Sequence, residues 1–332
     1  MPRLVECVPN FSEGRDIIKI ERIANAIKSV QGVRLLSVEP DPDYNRTVVT
    51  FVGYPEAVLE GAFKGIEKAA EVIDMTSHTG NHPRIGATDV CPFVPVSGVT
   101  MDDCVNLAIS LGNRVWEEVG IPVFLYESAA RIPGRRNLAE IRKGEYEGLA
   151  DKLRDPLWRP DFGPPEYNAR SGVAIIGARP FLIAYNVNLT TPNVGAASEI
   201  AKTIRESGYV NDGERIPGTL RSVKALGVLL GARNIAQVSM NLVNFKVTPP
   251  HVAFDECLRV AETLGEKVNG SEIVGLIPLE PMLMAGKHAL GADVQSDDMA
   301  LVEAAIRYLG LSSLGGFDPK KKVLELVLEN GG

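Results

Sequence analysis

The chain has 332 residues, 45% hydrophobic and 23% charged, a length that calls for two cores and a composition that excludes a disordered chain. Its net charge of -7 and pI near 5.3 exclude a broad phosphate-binding face, so no nucleic acid is expected as a partner. No apolar run of about 18 residues occurs, and charges stand where a signal peptide would need its apolar core, so a cytoplasmic chain with no membrane segment is expected.

RLVECVP (3–9) reads as a strand, and SEGR opens a helix to Val30 with Ser12 as its cap. The β-branched runs VRLLSVEP (33–40) and NRTVVTFVG (45–53) flank the turn DPDY and predict an antiparallel hairpin. A Pro-initiated helix over 55–75 and a strand over 87–96 complete the order β-α-β-β-α-β. A further helix (99–120), a strand at IPVFLYES and short charged helical turns follow. RDPLWRPDFGPPEYNARSG (154–172) is dense in Pro, Gly and aromatics without a period, and reads as a linker or a binding loop.

The second half repeats the order: strand 179–189, helix 192–208, strands 224–231 and 235–245, helix 248–265 and closing strand 271–279. The tail from Ser296 reads as two helices. The expected fold class is therefore α/β (α+β): two β-α-β-β-α-β-like subdomains, 1–178 and 179–326, with mixed sheets and helices outside. Helices on one face of each sheet leave an apolar open face, so the sheets are expected to pack face to face around a substrate cleft.

No phosphate-loop motif occurs, and Cys7, Cys91, Cys104 and Cys257 are scattered without a CxxC pair, as buried reduced cysteines are. SHTGNHPRIGATDVCPFVPV (77–96) holds two of the four histidines. His78 and His82 have the spacing of a metal pair on a helix, which Gly80, Asn81 and Pro83 oppose. Cys91 near Asp89 could act as a nucleophile, or be buried and inert. His82, in a polar loop between helix and strand, could carry protons near neutral pH or be a hydrogen-bonded structural residue. His251 and His288 read as structural or surface residues. VPNFSEGR (8–15) offers free backbone N–H groups and Arg15 as a carboxylate pocket, or simply a helix cap. Asn45 and Arg46 offer turn chemistry or an anion contact.

LVECVPNFSEGR, NRTVVTFVG, HPRIGATDVCPFVPV, VTMDDCV, GEYEGL, PDFGP and AQVSMNLVNF, in that order over nearly the whole chain, resemble the formiminotransferase family. The resemblance ends without a helical cyclodeaminase portion, which reads as a stand-alone transferase. It implies two α/β subdomains with facing sheets, and transfer of a formimidoyl group between L-glutamate and N5 of tetrahydrofolate as cosubstrate, with no metal and as a homodimer. The family's catalytic histidine falls on His82. Its pterin-binding, folate-contacting segment falls on Gly163, Pro164, Pro165, Glu166, Tyr167, Asn168, Ala169, Arg170, Ser171 and Gly172, with a further folate contact at Gly218. Arg46, Arg84 and Arg170 are the guanidinium candidates for substrate carboxylates, with Asn10 supporting. Glu39 stands where better-known members carry an aspartate, one methylene shorter. The other readings are a folate-dependent formyl transfer, a folate-binding protein without turnover and a ferredoxin-like assembly module.

Overall fold

The computed structural model describes residues 3–42, 44–80, 82–291 and 296–329, so that Asp43 of the predicted turn and Asn81 of the histidine loop lie outside the described residues. The chain divides into two units between Pro180 and Phe181.

In the first unit, β1 (Leu4–Cys7) and β2 (Asn10–Phe11) form one broken strand. The break falls at Pro9, which has no N–H for the ladder. Helix α1 (Ile17–Lys28) is capped by Asp16, whose side chain accepts from the N–H groups of Ile18 and Lys19. Ser12 is therefore not the cap: its hydroxyl donates to the Gly86 carbonyl at 2.7 Å, because the strand runs on to Phe11 and leaves Ser12 against the chain at Gly86 and Ala87. Strands β3 (Val33–Asp41) and β4 (Arg46–Gly53) pair antiparallel with Asp41 opposite Arg46, as the hairpin reading expects. Helix α2 (Pro55–Val72) and strand β5 (Thr88–Ser97) follow. The Thr100–Asp103 capping box starts α3 (Met101–Val119), and Gly120 ends it at a φ of 72°.

Strand β6 (Val123–Glu127), the short helices α4 (Leu138–Arg142) and α5 (Leu149–Arg154), and β7 (Ala174–Ala178) complete the unit. The sheet order is β3-β4-(β1, β2)-β5-β7-β6, parallel where β7 meets β5 and β6 and antiparallel elsewhere. Phe11, Phe51, Phe63 and Phe93 centre the core beneath α1, α2 and α3. On the opposite face, Phe124, Tyr126 and Ile175 pack against Ile141, Leu149 and Leu153 of α4 and α5, so helices cover part of both faces rather than one.

The second unit contains β8 (Ile183–Leu189), α6 (Val194–Ile204), the hairpin β9 (Tyr209–Asn211) and β10 (Glu214–Ile216), and β11 (Val223–Leu230). Then come β12 (Ile235–Leu242), α7 (Pro250–Thr263), β13 (Val268–Val274), α8 (Leu279–Leu290), α9 (Asp298–Tyr308), α10 (Pro319–Lys322) and α11 (Leu324–Glu329). The sheet order is β11-β12-β8-β13, with every ladder antiparallel. The β-α-β-β-α-β reading thus describes both units. The closing strand lies earlier than its expected 271–279, because Gly275 at a φ of 76° turns the chain and Pro278 caps α8. The VAIIGA strand and the β9–β10 hairpin add to the expected order; Asn211-Asp212-Gly213, with positive φ at Asp212 and Gly213, is a hairpin turn signal.

The face of the second sheet away from α6 and α7 is mixed rather than uniformly apolar: period-two alternation puts Asn186, Asn188, Gln237, Ser239, Asn241 and Glu272 there beside Lys224, Leu226 and Val228.

Candidate functional site

In the first unit the open face of the sheet also carries polar groups. Val48 of β4 pairs with Glu39 on one side and Asn10 on the other, so all three point to one face, with the half-buried Glu39 roughly 10 Å across the ladder from Asn10. Arg46, two residues before Val48, shares that face. Its Nη2 donates to Asn10 Oδ1, and Asn10 Nδ2 is anchored on the Val8 carbonyl at 2.9 Å. Its Nη1 donates to Nε2 of His82 at 2.5 Å. A guanidinium has no acceptor, so Nε2 must be the lone-pair nitrogen and the ring proton sits on Nδ1. That Nδ1 is buried without a hydrogen-bond partner among the described residues, and Tyr44 leans on the ring with centroids 5.7 Å apart.

Burial pushes the His82 imidazole down to about 4, helped by the positive charges of Arg46 and Arg142, with Asp89 opposing. His82 is therefore neutral at pH 7. Burial and Arg142 likewise lower Arg46 to about 10.

His78 belongs to a second chain of contacts. Arg84 Nε donates to its Nδ1 at 3.2 Å, so Nε2 carries the proton and donates to the Asn45 carbonyl at 3.0 Å. The Asn45 side chain in turn accepts from Gly14 N and donates to the Thr79 carbonyl. The two histidines thus face different partners and do not pair, and among the described residues no three His, Cys, Asp or Glu form a group that could hold a metal. Arg84 is 6% exposed, and its fork already grips Glu147 at 2.5 and 2.7 Å and Glu145 at 2.9 Å. A cavity of about 440 Å³ lined by Thr79, Gly80, Arg84, Gly144, Glu145 and Glu147 is consequently acidic. Of the guanidinium candidates near His82, Arg46 pairs with His82 and Asn10 and has no carboxylate partner among the described residues.

The helix-start pocket is filled from within. Glu13, 7% exposed, accepts from the N–H groups of Arg15 and Asp16, both at 3.0 Å, while Arg15 reaches the Pro42 carbonyl. Cap chemistry wins there because Glu13, four residues before the helix, takes the Arg15 and Asp16 donors while Asp16 caps the first turn. Cys91 lies 3.5 Å from the Cys7 sulfur, and burial pushes the Cys7 thiol well up, an inert sulfur pair rather than a nucleophile and its base.

The 154–172 segment is bound down along its length. Asp161 accepts from Arg135 and from Leu125 N, both at 2.8 Å, at an ion pair where Arg135 is 2% exposed. Gly163, at a φ of 90°, lies flat on Trp116. Pro164 is half-buried, and Pro165, Glu166, Asn168, Ala169 and Arg170 are exposed. Tyr167 packs edge-on against Tyr146 at 5.9 Å, and Tyr146 donates to the Ala169 carbonyl. Asn168 Oδ1 accepts from Arg170 N and Ser171 N, fixing the turn, while Arg170 donates to the Glu71 carbonyl. Ser171 accepts from Ala87 N at 2.8 Å, and Gly172 bridges to Gly86, where a β-carbon on Gly172 would stand 2.2 Å from the Ile85 carbonyl. The segment's end is thus stapled to the loop that bears His82.

Gly218 lies in the second unit, where a β-carbon would meet the Arg205 carbonyl at 1.9 Å; backbone packing alone requires glycine there. Sequence reasoning missed Tyr44 and the Asp89–Arg142 ion pair, in which Asp89 is 1% exposed. An acid in the apolar run TDVCP was a signal for a buried partner; nothing marked Arg142 as that partner.

Comparison with known proteins follows the same division. The N-terminal subdomain model of the formiminotransferase domain matches residues 4–179, and the formiminotransferase domain model matches 184–329. A formimidoyltransferase-cyclodeaminase of Dictyostelium discoideum is 47% identical over 99% of this chain and 61% of its own length, so the chain spans about three-fifths of that relative. Glutamate formimidoyltransferases of Thermoplasma acidophilum (47% identical, 86% of this chain, 92% of theirs) and Streptococcus pyogenes serotype M1 (43%, 87% and 94%) align over nearly their full length. Matched through both units and along almost the whole of such relatives, the chain belongs to the formiminotransferase family.

Proposed function

We propose that the chain is a glutamate formimidoyltransferase, moving a formimidoyl group between N-formimidoyl-L-glutamate and N5 of tetrahydrofolate, with His82 as general acid and base. The observation that carries the reading is the alignment over 92% and 94% of two relatives bearing that name. The neutral His82, at the junction of the sheet face and the loop tied to 163–172, supports the residue assignment.

In the resting site the basic nitrogen of His82 is covered by Arg46. A substrate carboxylate offers that guanidinium a better, two-pronged acceptor. Drawing Arg46 away uncovers Nε2 and removes a nearby positive charge, which raises the imidazole's basicity. Nε2 then takes the N5 proton as N5 bonds to the amidine carbon. When the tetrahedral intermediate collapses, the carbon–nitrogen bond to glutamate breaks and the same proton passes to the departing amine. Holding both amines across one carbon supplies further acceleration.

Incubation with tetrahydrofolate and N-formimidoyl-L-glutamate, followed by acidification, should yield the absorbance of the cyclised methenyl product. No product from the formimidoyl donor overturns the assignment, and product from a formyl donor alone replaces it with formyl transfer.

A further inference from the structure

The ion pair of Asp89 and Arg142 stands beside the His82 loop and has no part in the proton transfers above. Arg142 closes α4 and lays its guanidinium on the carboxylate, Nη2 donating to Oδ2 and Nε to Oδ1 at 3.3 Å. The Asp89 and Arg142 side chains are only 1% and 15% exposed. A buried pair of this kind is a weak source of stability, because taking two charges out of water costs about as much as their attraction returns. Stability alone does not account for it.

Its contacts lead to the histidine. Asp89 Oδ1 also accepts from the Ile85 N–H at 3.2 Å, and the Ile85 carbonyl accepts from Val173 N at 3.2 Å, so both backbone groups of the residue three after His82 are held. Pro83, with its ring-locked φ, stiffens the short span between. Around the imidazole itself stand Arg46 from β4, Tyr44 from the turn before it, Arg142 from α4 and Asp89 from β5. Arg142 opposes a proton on the ring and Asp89 favours one, and the two act with the same signs on Arg46.

We propose that Asp89 and Arg142 are positioning residues for the proton carrier: the carboxylate anchors the loop at Ile85, and the guanidinium cancels the charge that this anchor brings to His82. The assignment rests on His82 as general acid and base. A lone buried carboxylate beside an imidazole would hold it as the imidazolium, unable to take a proton from N5. With Arg142 in place the ring stays neutral at rest. The imidazolium formed when Nε2 takes the N5 proton is then favoured by Asp89 and opposed by Arg142, so the proton can pass on to the departing glutamate amine.

The test reads the ring of the whole chain by NMR, with the His82 resonance identified by its loss in His82→Gln and followed against pH beside the acid limb of kcat/KM. Arg142→Gln leaves the anchor uncompensated and should move both titrations upward by about 0.5 pH unit, less than a charge in direct contact gives. Asp89→Asn leaves the guanidinium uncompensated and should move both downward. Arg142→Lys keeps the charge and should restore the wild-type titration. A purely structural pair would lose stability in both variants without shifts of opposite sign. An unmoved His82 resonance in folded Arg142→Gln, or shifts of one sign in both variants, overturns the proposal. If Asp89→Asn melts early, the double variant Asp89→Asn with Arg142→Gln replaces it, since it buries no lone charge, and should titrate below Arg142→Gln. If the wild type transfers no formimidoyl group while the opposite shifts stand, the transferase reading falls and the charge balance at His82 remains. If transfer proceeds without those shifts, only the positioning role falls.

Discussion

The two units share one plan and differ in what hangs from it. In each, the second strand of the motif lies at one edge, next to the third, and the first lies between the third and the fourth: β3-β4-(β1, β2)-β5 and β11-β12-β8-β13. Both place polar side chains on the face away from their main helices, Asn10, Glu39 and Arg46 in one and Asn186, Asn188, Gln237 and Glu272 in the other. The connection from second helix to closing strand separates them. In the first unit it runs from Ile73 to Ala87 and carries both His78 and His82, whereas in the second it runs only from Leu264 to Lys267. The shared motif supplies a surface; the long connection carries the proposed proton carrier, His82.

The largest test of that asymmetry is the pair His82→Ala and His288→Ala. The first should lower kcat about 10²- to 10⁴-fold while leaving tetrahydrofolate binding intact. The second removes a histidine that pairs with Asp255 at 3.0 Å and stacks on His251, and should leave kcat within about twofold, as a surface change does. Equal losses would break the comparison. Next in size, Asp161→Ala leaves Arg135 charged and buried beneath the 154–172 segment, and should cost about 3–5 kcal/mol in urea unfolding. A cost below about 1 kcal/mol would mean that the segment is held by packing alone.

Gly172→Ala, forced to a φ of 67° against the Ile85 carbonyl, should lose about 1–3 kcal/mol of stability and also lower kcat/KM. Gly213→Ala in the β9–β10 turn, at a φ of 84° with open space around it, should cost about 1 kcal/mol without touching kcat/KM.

The smallest effect is one of pH. Arg46→Gln removes the second largest cause that lowers His82, so the acid limb of kcat/KM should move upward; an unmoved limb would detach Arg46 from the base. Because the folded-state value lies below the unfolded one, the unfolded chain binds this proton first as pH falls. The stability contributed is complete above about pH 6.5 and is lost as pH falls toward about 4, and His82→Gln should flatten that part of the urea-midpoint profile.

Much of this was legible because it is written in periods and punctuation. The β-α-β-β-α-β order follows from alternation, helix spacing and Pro or Asp turns, and His82 stands out as a lone proton carrier in a loop too broken for a helix. The resemblance then placed 163–172, whose aperiodic residues carry no such signal. What escaped depends on partners far apart in the chain. Nothing near Arg84 announces Glu145 and Glu147, nor does the sequence around Asp89 announce Arg142. Glu13 filling the anion pocket was closer to hand, since its carboxylate sits two and three residues from the donors it takes. The polar residues on the open face of the second sheet are written as N-x-N in YNVNL, an alternation that marks a strand without saying which side meets the helices.

Gly86 and Gly172 cross with no room for a single added carbon, each backbone pressed on the other's neighbours. Two segments that touch at such a point cannot travel separately: a push on one is delivered to the other as displacement, not absorbed as a change of rotamer. The peptide at Ile85 and Gly86, three and four residues after His82, is thereby held in register with the end of the 163–172 segment.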